Sequence, residues 1–176
     1  MKKQKQHTRN GMRTALGLLC TAFLMLQVSS FMSCSSIDCP LNNRVYAKYM
    51  LEGDEKPLST ILTVATIRMD GEDTILLNNV ANVDSFMLPM SYNAKADTLF
   101  FGQYLSESLT VVDTVYVLKD NQPHFESIDC APSFFHTITG IKHTRYGIDT
   151  IIINKANVNY DATTPHLLIR FKTLAY

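Results

Sequence analysis

An aspartate followed by a threonine and an aliphatic residue occurs four times in this chain. The four copies read DTILL, DTLFF, DTVYV and DTIII, and they begin at Asp73, Asp97, Asp113 and Asp149. Carboxylate oxygens are the ligands of hard cations such as Ca²⁺, so the first question is whether these aspartates form a metal site. The copies lie 24, 16 and 36 residues apart, and this irregular spacing gives four strand ends no reason to converge. We expect each aspartate to begin a strand instead, because Asp favours turns and Thr with an aliphatic residue favours extended backbone.

The histidines offer no recognisable metal or catalytic pattern. Downstream of the first 33 residues they are His124, His136, His143 and His166. None lies in an H-x-x-x-H arrangement and the cysteines form no C-x-x-C pair, which are the spacings of recognisable zinc sites. The chain also lacks a G-x-S-x-G nucleophile motif and a glycine-rich phosphate loop. The sequence therefore predicts no metal, no cofactor and no enzymatic activity.

The first 33 residues have the parts of a secretory signal peptide. Five basic residues, the last of them Arg13, precede an apolar stretch that runs from about Thr14 to Val28. This stretch is shorter than the roughly 20 apolar residues that a membrane-spanning helix needs. A charged start, a short apolar segment and small residues after it are typical of an export signal. We therefore expect residues 1–33 to be removed from the mature protein.

Export leaves an odd number of cysteines, which requires an explanation. Cys20 lies in the signal peptide, so Cys34, Cys39 and Cys130 remain. Phe31-Met32-Ser33-Cys34 resembles a bacterial lipobox, in which the cysteine receives diacylglycerol. If Cys34 is lipidated, Cys39 and Cys130 are left as a pair, and an oxidising compartment permits a disulfide bond between them. If it is not, Cys34–Cys39 and Cys34–Cys130 are the alternative pairings.

This interpretation divides the chain into three parts. Residues 1–33 form the lipoprotein signal peptide, residues 34–43 a lipidated tether, and residues 44–176 a single antiparallel β-domain. Removal of the signal peptide leaves 11 basic and 16 acidic residues, so the mature protein carries a net charge of −5. Because nucleic-acid affinity depends on the neutralisation of phosphates, we do not expect this acidic domain to bind nucleic acid.

The domain has the period-two pattern of β-strands, with short β-branched and aromatic runs bounded by Gly, Pro, Asn and Asp. We predict ten strands, at residues 44–51, 59–69, 73–78, 84–88, 97–104, 109–118, 123–129, 134–143, 148–154 and 166–173. Asp70-Gly71 is expected to form a tight hairpin turn, because both central residues of a type I′ turn need positive φ. The segment from Lys119 to Gln122 is expected to form a second turn. The stretch from Asn42 to Gly53 also fits a helix, but we interpret it as a strand.

Ten strands without crossover helices predict antiparallel sheets. We expect an all-β fold, an antiparallel β-sandwich, with a small open β-barrel as the alternative. The segment from Pro123 to Thr144 is the densest part of the chain in Pro, Phe, His and Cys residues. It has two interpretations, a partner- or ligand-binding edge and a hairpin with its corner at Ala131-Pro132.

Three stretches resemble a family of small bacterial lipoproteins. They read SCSSIDCPLNN from Ser33, PHFESIDCAPSFFH from Pro123, and GIDTIIINKANVNYD from Gly147, ahead of a final LLIRF. The family is an uncharacterised group of Bacteroidetes-type lipoproteins of unknown function. The resemblance implies that Cys34 carries the lipid and that Cys39 and Cys130 are the remaining cysteines, and it supplies no catalytic residue. Because Asp38 is the one acid between Cys34 and Cys39, the resemblance implies an outer-membrane anchor that faces the periplasm rather than display on the cell surface.

The sequence leads to two main functional hypotheses of different classes, and an enzyme is a third that only a convergent cluster of His and carboxylates in one cleft would support. The first is a non-catalytic cell-envelope lipoprotein, anchored in the membrane through acyl chains on Cys34, whose β-domain docks on another envelope protein. The second is a small-ligand or glycan carrier with a groove or barrel mouth lined by aromatic rings. The rings in question are Phe100, Phe101, Tyr104, Tyr116, Phe125, Phe134 and Phe135.

The four Asp-Thr motifs have a further interpretation. Asp, then Thr, then an aliphatic residue resembles the acceptor motif for protein O-glycosylation in exported proteins of Bacteroidetes-type bacteria. A junction between a turn and a strand lies at the rim of a sandwich, where a sugar can remain in solvent. The motif therefore predicts a glycan on one or more of Thr74, Thr98, Thr114 and Thr150.

Overall fold

The structure is a computed structural model that describes Cys39 and residues 44–67, 71–106 and 108–174. The signal peptide and Cys34 lie outside these residues, so export and lipidation stay predictions. Ten β-strands occupy the described part of the chain, which contains no helix long and apolar enough to span a bilayer. They are β1 (Tyr46–Glu52), β2 (Ile61–Ile67), β3 (Asp73–Val80), β4 (Ser85–Pro89), β5 (Ala96–Ser106), β6 (Leu109–His124), β7 (Ser133–His143), β8 (Ile148–Ile153), β9 (Asn157–Val158) and β10 (Leu167–Phe171).

The strands form two sheets. The order in the four-stranded sheet is β4-β1-β10-β8, and the order in the six-stranded sheet is β3-β2-β5-β6-β7-β9. Among the described strands every pairing is antiparallel except that of β1 with β10. The prediction of purely antiparallel sheets is therefore wrong at this one pair. A parallel pair needs a long crossover connection, and here the chain from β2 to β9 provides it.

Alternate side chains of both sheets point into one shared core. On β1 the buried residues are Ala47, Tyr49 and Leu51, so the segment that also fitted a helix is a strand, as predicted. On β5 of the other sheet, Leu99 and Phe101 are buried. The ring centroid of Tyr49 lies 6.1 Å from that of Phe101, and this contact joins the two sheets. The predicted all-β fold is confirmed, with two sheets that are mainly antiparallel.

β6 is longer than the sequence predicts. The expected turn from Lys119 to Gln122 is wrong, because β6 runs without a break through this segment to His124. Lys119 points inward like Val117 before it, so the strand alternation continues through a stretch that looks locally like a turn. The predicted strand at 123–129 is accordingly wrong beyond His124, and a loop leads from there to β7.

Three smaller features complete the comparison with the predicted strands. β2 and β3 form the expected hairpin, with Ile67 opposite Asp73, and Gly71 has a φ of +83°. Asp70, the other residue of the predicted turn, lies outside the described residues. Asp113 does not begin a strand as expected but lies within β6, whereas the other three motif aspartates lie at strand starts. β9 was not predicted, because two residues are too few to show an alternating pattern.

Candidate functional site

On the outward side of the six-stranded sheet, the paired segments 61–67, 98–104 and 110–116 of three adjacent strands carry no charge, whereas Asp120 is exposed farther along β6. Twelve residues of β2, β5 and β6 lie on this side by their register, and we call them the uncharged face. They are Ile61, Thr63, Ala65, Ile67, Thr98, Phe100, Gly102, Tyr104, Thr110, Val112, Thr114 and Tyr116. Their neighbours along the strands, such as Val64, Phe101 and Val115, are buried in the core. The most exposed large side chains of the face leave 42–52% of their surface in solvent, and they are Ile61, Ile67, Tyr104, Val112 and Tyr116.

In an antiparallel sheet with one solvent-facing side, the residues along each strand usually alternate between apolar ones that face the core and polar or charged ones that face solvent. The four-stranded sheet follows this pattern, because Lys48 and Glu52 of β1 and Arg170 of β10 alternate with buried residues. The uncharged face departs from it, and Ile75 of the edge strand β3 extends its apolar surface beside Ala65. A contiguous exposed apolar surface is typical of a protein interaction site.

This face is not predicted by the sequence. The sequence gives one indirect sign of it. The stretches TILTVATI at β2 and DTLFFGQY at β5 contain one charged residue in total, so neither side of these strands is strongly polar. Such a pattern is ambiguous by itself, because strands covered on both sides have it as well. The structure resolves the ambiguity by leaving one side of β2, β5 and β6 uncovered.

The seven aromatic residues expected to line a ligand groove do not share a cavity. They divide among the core (Phe101), the uncharged face (Phe100, Tyr104 and Tyr116), the start of β7 (Phe134 and Phe135) and the loop after β6 (Phe125). Near the start of β7, Phe134 stacks on Tyr92 and Phe135 stacks on His124, with centroid distances of 5.0 and 4.1 Å. These rings pack in separate places, so their geometry does not favour a ligand carrier.

A buried ion pair joins β6 to the start of β5, and its lysine also holds the loop between β4 and β5. The side chain of Lys119 is fully buried, and its Nζ donates to Asp97 Oδ1 at 2.9 Å. The same ammonium group donates to Ala94 O at 3.0 Å and to Ser91 Oγ at 3.2 Å. Ser91 also donates from its hydroxyl and its backbone N–H to the Asp97 carboxylate. The ammonium group therefore makes three hydrogen bonds, which is the condition for burying a charge.

Asn121 and His136 extend this cluster. The amide of Asn121 donates to the backbone oxygens of Tyr92 and Ala94 at 3.0 and 2.9 Å. Its Oδ1 lies 2.7 Å from His136 Nδ1, an arrangement in which the imidazole donates the hydrogen bond. Burial, and then the charge of Lys119, lowers the pKa of His136 to about 4. His136 is therefore neutral at pH 7, and its role is to hold Asn121 and the loop in place.

The carboxylate of Asp113 organises the corner between β7 and β8. Oδ1 accepts hydrogen bonds from Thr144 Oγ1 at 2.6 Å and Tyr146 N at 2.8 Å. Oδ2 accepts from Gly147 N and Ile148 N, both at 2.7 Å. Burial acts to raise the pKa of Asp113, but these four hydrogen bonds outweigh it and hold the pKa below its usual value. Asp113 is thus an ionised anchor that joins the six-stranded sheet to the first residue of β8.

The other two motif aspartates lie nearer to solvent. Asp149 is 3.7 Å from Arg170 and borders an open depression of about 450 Å³, whose other lining residues include Gly53, Asp54 and Lys172. Asp73 is exposed at the start of β3. The four aspartates therefore have unrelated surroundings. In the part of the chain that the structure describes, no group of three or more His, Cys, Asp or Glu residues is placed to hold a metal ion.

The histidines also have separate local partners. The pairs are His124 with Glu126, His136 with Asn121, His143 with the Thr144 carbonyl, and His166 with the Lys48 backbone N–H. Burial lowers the pKa of His166, so this histidine is neutral as well and accepts the Lys48 hydrogen bond on Nδ1. The contacts assign a local structural role to each ring.

The four motif threonines are all partly buried. Thr98 and Thr114 belong to the uncharged face. Thr150 lies opposite Arg170 on the outer side of the four-stranded sheet, and Thr74 lies opposite Thr66 in the β2–β3 hairpin. The expectation that every motif lies at a turn-to-strand junction on the rim is wrong for Thr114, which lies within β6. Glycosylation of these threonines stays a prediction.

The structure contains a disulfide bond between Cys39 and Cys130, the pairing expected if Cys34 is lipidated. The two residues are 91 positions apart in sequence, and in the chain-entropy model closing such a loop contributes roughly 4–5 kcal/mol to stability. Cys130 lies in the connection between β6 and β7, residues 125–132, which we call the disulfide loop. The segment from Pro123 to Thr144 is thus a hairpin, with Ala131-Pro132 in its connecting loop.

The family match covers nearly all of these features. No curated protein and no solved structure matches the chain. Residues 61–171 match a family of unknown function, DUF6452, and this range extends from the first residue of β2 to the last residue of β10. It includes the uncharged face, the Lys119–Asp97 pair, Asp113 and Cys130. Because the match spans more than half of the sequence, the chain belongs to the family of unknown function DUF6452.

Proposed function

We propose that this protein is a non-catalytic lipoprotein of the bacterial cell envelope whose β-sandwich binds another envelope protein through the uncharged face. The proposal depends above all on the absence of charge at the twelve positions of this face, which ends before the exposed Asp120 of β6. The mature chain is otherwise acidic, so its charges are concentrated outside this face. When a partner covers a surface of this kind, the free-energy cost of desolvation is small because no charge is removed from water. Burial of the apolar area then contributes favourably to the free energy of binding.

The composition of the face suits the centre of a protein interface. Such centres are depleted in charge and enriched in Tyr, which combines a large apolar ring with a hydroxyl group. Tyr104 and Tyr116 are the two tyrosines of the face and are both exposed. We expect them to be among the residues that contribute most to binding. The partner is accordingly expected to offer an apolar surface with few charges.

The buried ionisable groups support a role in binding rather than catalysis. Among the residues that the structure describes, Asp113 and Lys119 are the most deeply buried charged ones, and each directs its hydrogen bonds to other parts of the fold. His136 is neutral and enclosed. A catalytic acid, base or nucleophile must reach a substrate, and these three groups instead hold loops and sheets together.

The sequence supports attachment to a membrane. The signal-peptide pattern of residues 1–33, the lipobox-like sequence ending at Cys34 and the resemblance to Bacteroidetes-type lipoproteins all point to acyl chains on Cys34. We propose that these chains lie in the outer membrane and that the domain faces the periplasm. An anchor raises the local concentration of the domain near a membrane-bound partner, so an interface of modest affinity suffices.

The intact mass of native protein extracted from membranes tests the anchor. We expect a chain that begins at Cys34 with the added mass of its acyl chains, because the lipobox places cleavage directly before that cysteine. A mature chain that begins elsewhere, or one without acyl chains, contradicts the lipoprotein assignment. Protein with Cys34→Ser is the control, and we expect it to lose the lipid mass and to leave the membrane fraction.

The same mass measurement locates any glycan. Thr98 and Thr114 belong to the uncharged face, so a sugar on either one would block a partner there. Thr74 and Thr150 lie outside the face, and glycans at these two positions are compatible with docking. We therefore propose that glycosylation, where it occurs, uses Thr74 or Thr150, which Thr→Ala variants at the two positions would reveal by loss of mass.

Site-specific photocrosslinking in cells tests the docking face. We expect a benzophenone amino acid at Tyr104 to give a discrete crosslinked product, because this position lies within the face. The matched control is Met87, which is 51% exposed on the outer side of the four-stranded sheet and should give no such product. Adding Val112→Lys to the Tyr104 probe should abolish the product, because a partner would have to desolvate the new charge.

Other crosslinking results would either contradict the docking face or identify a different partner. Equal products from the Tyr104 and Met87 probes, or a product that survives Val112→Lys, would show that the uncharged face is not the binding site. A product with the mass of two copies of this chain would identify the partner as a second copy rather than a different envelope protein.

A further inference from the structure

The disulfide loop exposes large apolar side chains where the fold gives no reason for them. Ile128 is 97% exposed, the most exposed large hydrophobic residue among those the structure describes. It lies in a turn that is closed by a hydrogen bond from Cys130 N to Ser127 O at 3.3 Å, and turns usually contain Gly, Asn, Asp or Ser. Phe125 lies three residues earlier on the same loop and is 63% exposed. Two large apolar residues in one short loop therefore suggest that the loop is covered by an apolar medium.

Covalent connections limit where this loop lies. Cys130 is bonded to Cys39, and Cys39 is five residues from Cys34, the proposed site of the acyl chains. Five residues span at most roughly 18 Å, whatever their conformation. Acyl chains on Cys34 therefore keep Cys39 within that distance of the membrane surface, and the Cα atom of Cys130 in the disulfide loop lies only 5.5 Å from that of Cys39. The uncharged face has no comparable tie to Cys34.

We propose that Phe125 and Ile128 insert into the membrane interface, so that the disulfide loop is a second point of membrane contact beside the lipid. This inference rests on the lipid anchor proposed above. Aromatic and aliphatic side chains are the residues that bury themselves at the boundary between headgroups and acyl chains. A second contact of this kind gives the attachment of the domain a defined orientation.

The charges of the loop indicate which lipids it contacts. Glu126 and Asp129 flank Ile128 on either side, and the loop itself contains no Lys or Arg. Glu126 lies 3.1 Å from His124, and Asp129 is exposed. Anionic headgroups repel acidic segments, so the loop is suited to zwitterionic headgroups rather than to an anionic surface.

Insertion of the loop also fixes the position of the uncharged face. The face occupies β6 from Thr110 to Tyr116, which is eight to fourteen residues from His124 at the end of that strand. At a strand rise of roughly 3.3 Å per residue, the face lies about 25–45 Å along β6 from the loop. A membrane-inserted loop therefore leaves the face free for a protein partner.

Tryptophan fluorescence tests this arrangement directly, because the natural chain contains no Trp. Acylated mature protein with Ile128→Trp is reconstituted into vesicles of zwitterionic phosphatidylcholine that carry bromine on the acyl chains. The matched control is Ile75→Trp, a 58% exposed position level with Thr114 through the register of β3, β2, β5 and β6. We expect quenching at position 128 to be about threefold stronger than at position 75, because interfacial side chains reach the acyl region.

The outcomes separate this inference from the lipid anchor. An intact mass that shows acyl chains, together with equal quenching at positions 128 and 75, overturns the insertion of the loop and leaves the anchor standing. A mass without acyl chains overturns both. Replacing half of the zwitterionic lipid by anionic phosphatidylglycerol should reduce quenching at position 128, and unchanged or stronger quenching overturns the proposed lipid preference. Unfolding curves of the two Trp variants confirm that each domain is folded.

Discussion

Asp113→Asn is expected to destabilise the domain by about 3 kcal/mol at pH 7, since hydrogen bonds to a buried charge contribute about 1.5–3 kcal/mol each. Asn has nearly the size and shape of Asp, so the corner between β7 and β8 keeps its space. One carboxylate oxygen becomes an NH₂ group, however, and this group then faces two donors instead of accepting from them. Either Thr144 and Tyr146 or Gly147 and Ile148 lose their acceptor. Urea unfolding followed by circular dichroism measures the difference.

The pH dependence of this difference provides a second check. The pKa of Asp113 in the folded state lies below its ordinary value of 3.8. Its contribution to stability is therefore fully present above about pH 4 and is lost as the pH falls through the folded-state pKa. The gap between the natural protein and the Asp113→Asn variant should shrink in this acid range. The lowered pKa values of His136 and His166 also reduce stability as the pH falls below about 6.5, but they do so in both proteins.

Asp120→Asn is the matched control for this experiment. Asp120 lies on the same strand but is exposed, and a surface substitution of this kind usually changes stability by less than about 0.5 kcal/mol. If the natural protein and the Asp113→Asn variant have the same free energy of unfolding, the role assigned to Asp113 is wrong. A gap that persists unchanged at pH 2 would show that the effect does not come from the carboxylate charge.

Most of the strands could be predicted from the sequence because one side of each faces a core. The alternation of buried and exposed residues along β1 and β5 is a local property that a sequence displays directly. The parallel pairing of β1 with β10 could not be predicted, because it joins the two ends of the domain and leaves no local trace. The turn that was predicted from Lys119 to Gln122, inside β6, is wrong for a similar reason, because the partners of these residues are distant in sequence. Lys119 and Asn121 look like turn residues until the loop at 91–95 supplies their partners.

The candidate site was less predictable than the fold. Cysteine number and the lipobox-like sequence indicated the pairing of Cys39 with Cys130, because few pairings were available. The uncharged face was not predicted, because uncharged strands occur in covered sheets as well as in binding surfaces. The Asp-Thr motif shows the limit of local patterns most clearly. Four similar sequences place one aspartate in an ion pair, one in a hydrogen-bonded corner and two near solvent.

Lys119→Met is expected to destabilise the domain by about 3–5 kcal/mol, the range found when one partner of a buried ion pair is removed. Met has a similar length and fills the same space, so the loss is mainly electrostatic. Without the ammonium group, Asp97 keeps its charge at a position where its side chain is only 10% exposed. The Ala94 carbonyl and the Ser91 hydroxyl also lose a donor. Urea unfolding at pH 7 again measures the change.

A double-mutant cycle then isolates the ion pair from the loss of packing. Asp97→Asn alone leaves Lys119 buried without its anion, so this variant is also expected to be strongly destabilised. The double variant buries neither charge, and its destabilisation should be at least about 2 kcal/mol smaller than the sum of the two single effects, which is within the usual range for residues in contact. Lys155→Met is the control, because Lys155 and Asp161 form an ion pair of the same 2.9 Å length in solvent, and solvent screening makes its loss far less costly. If the two single effects simply add, or if Lys155→Met is as damaging as Lys119→Met, Lys119 and Asp97 do not stabilise the domain as a buried ion pair.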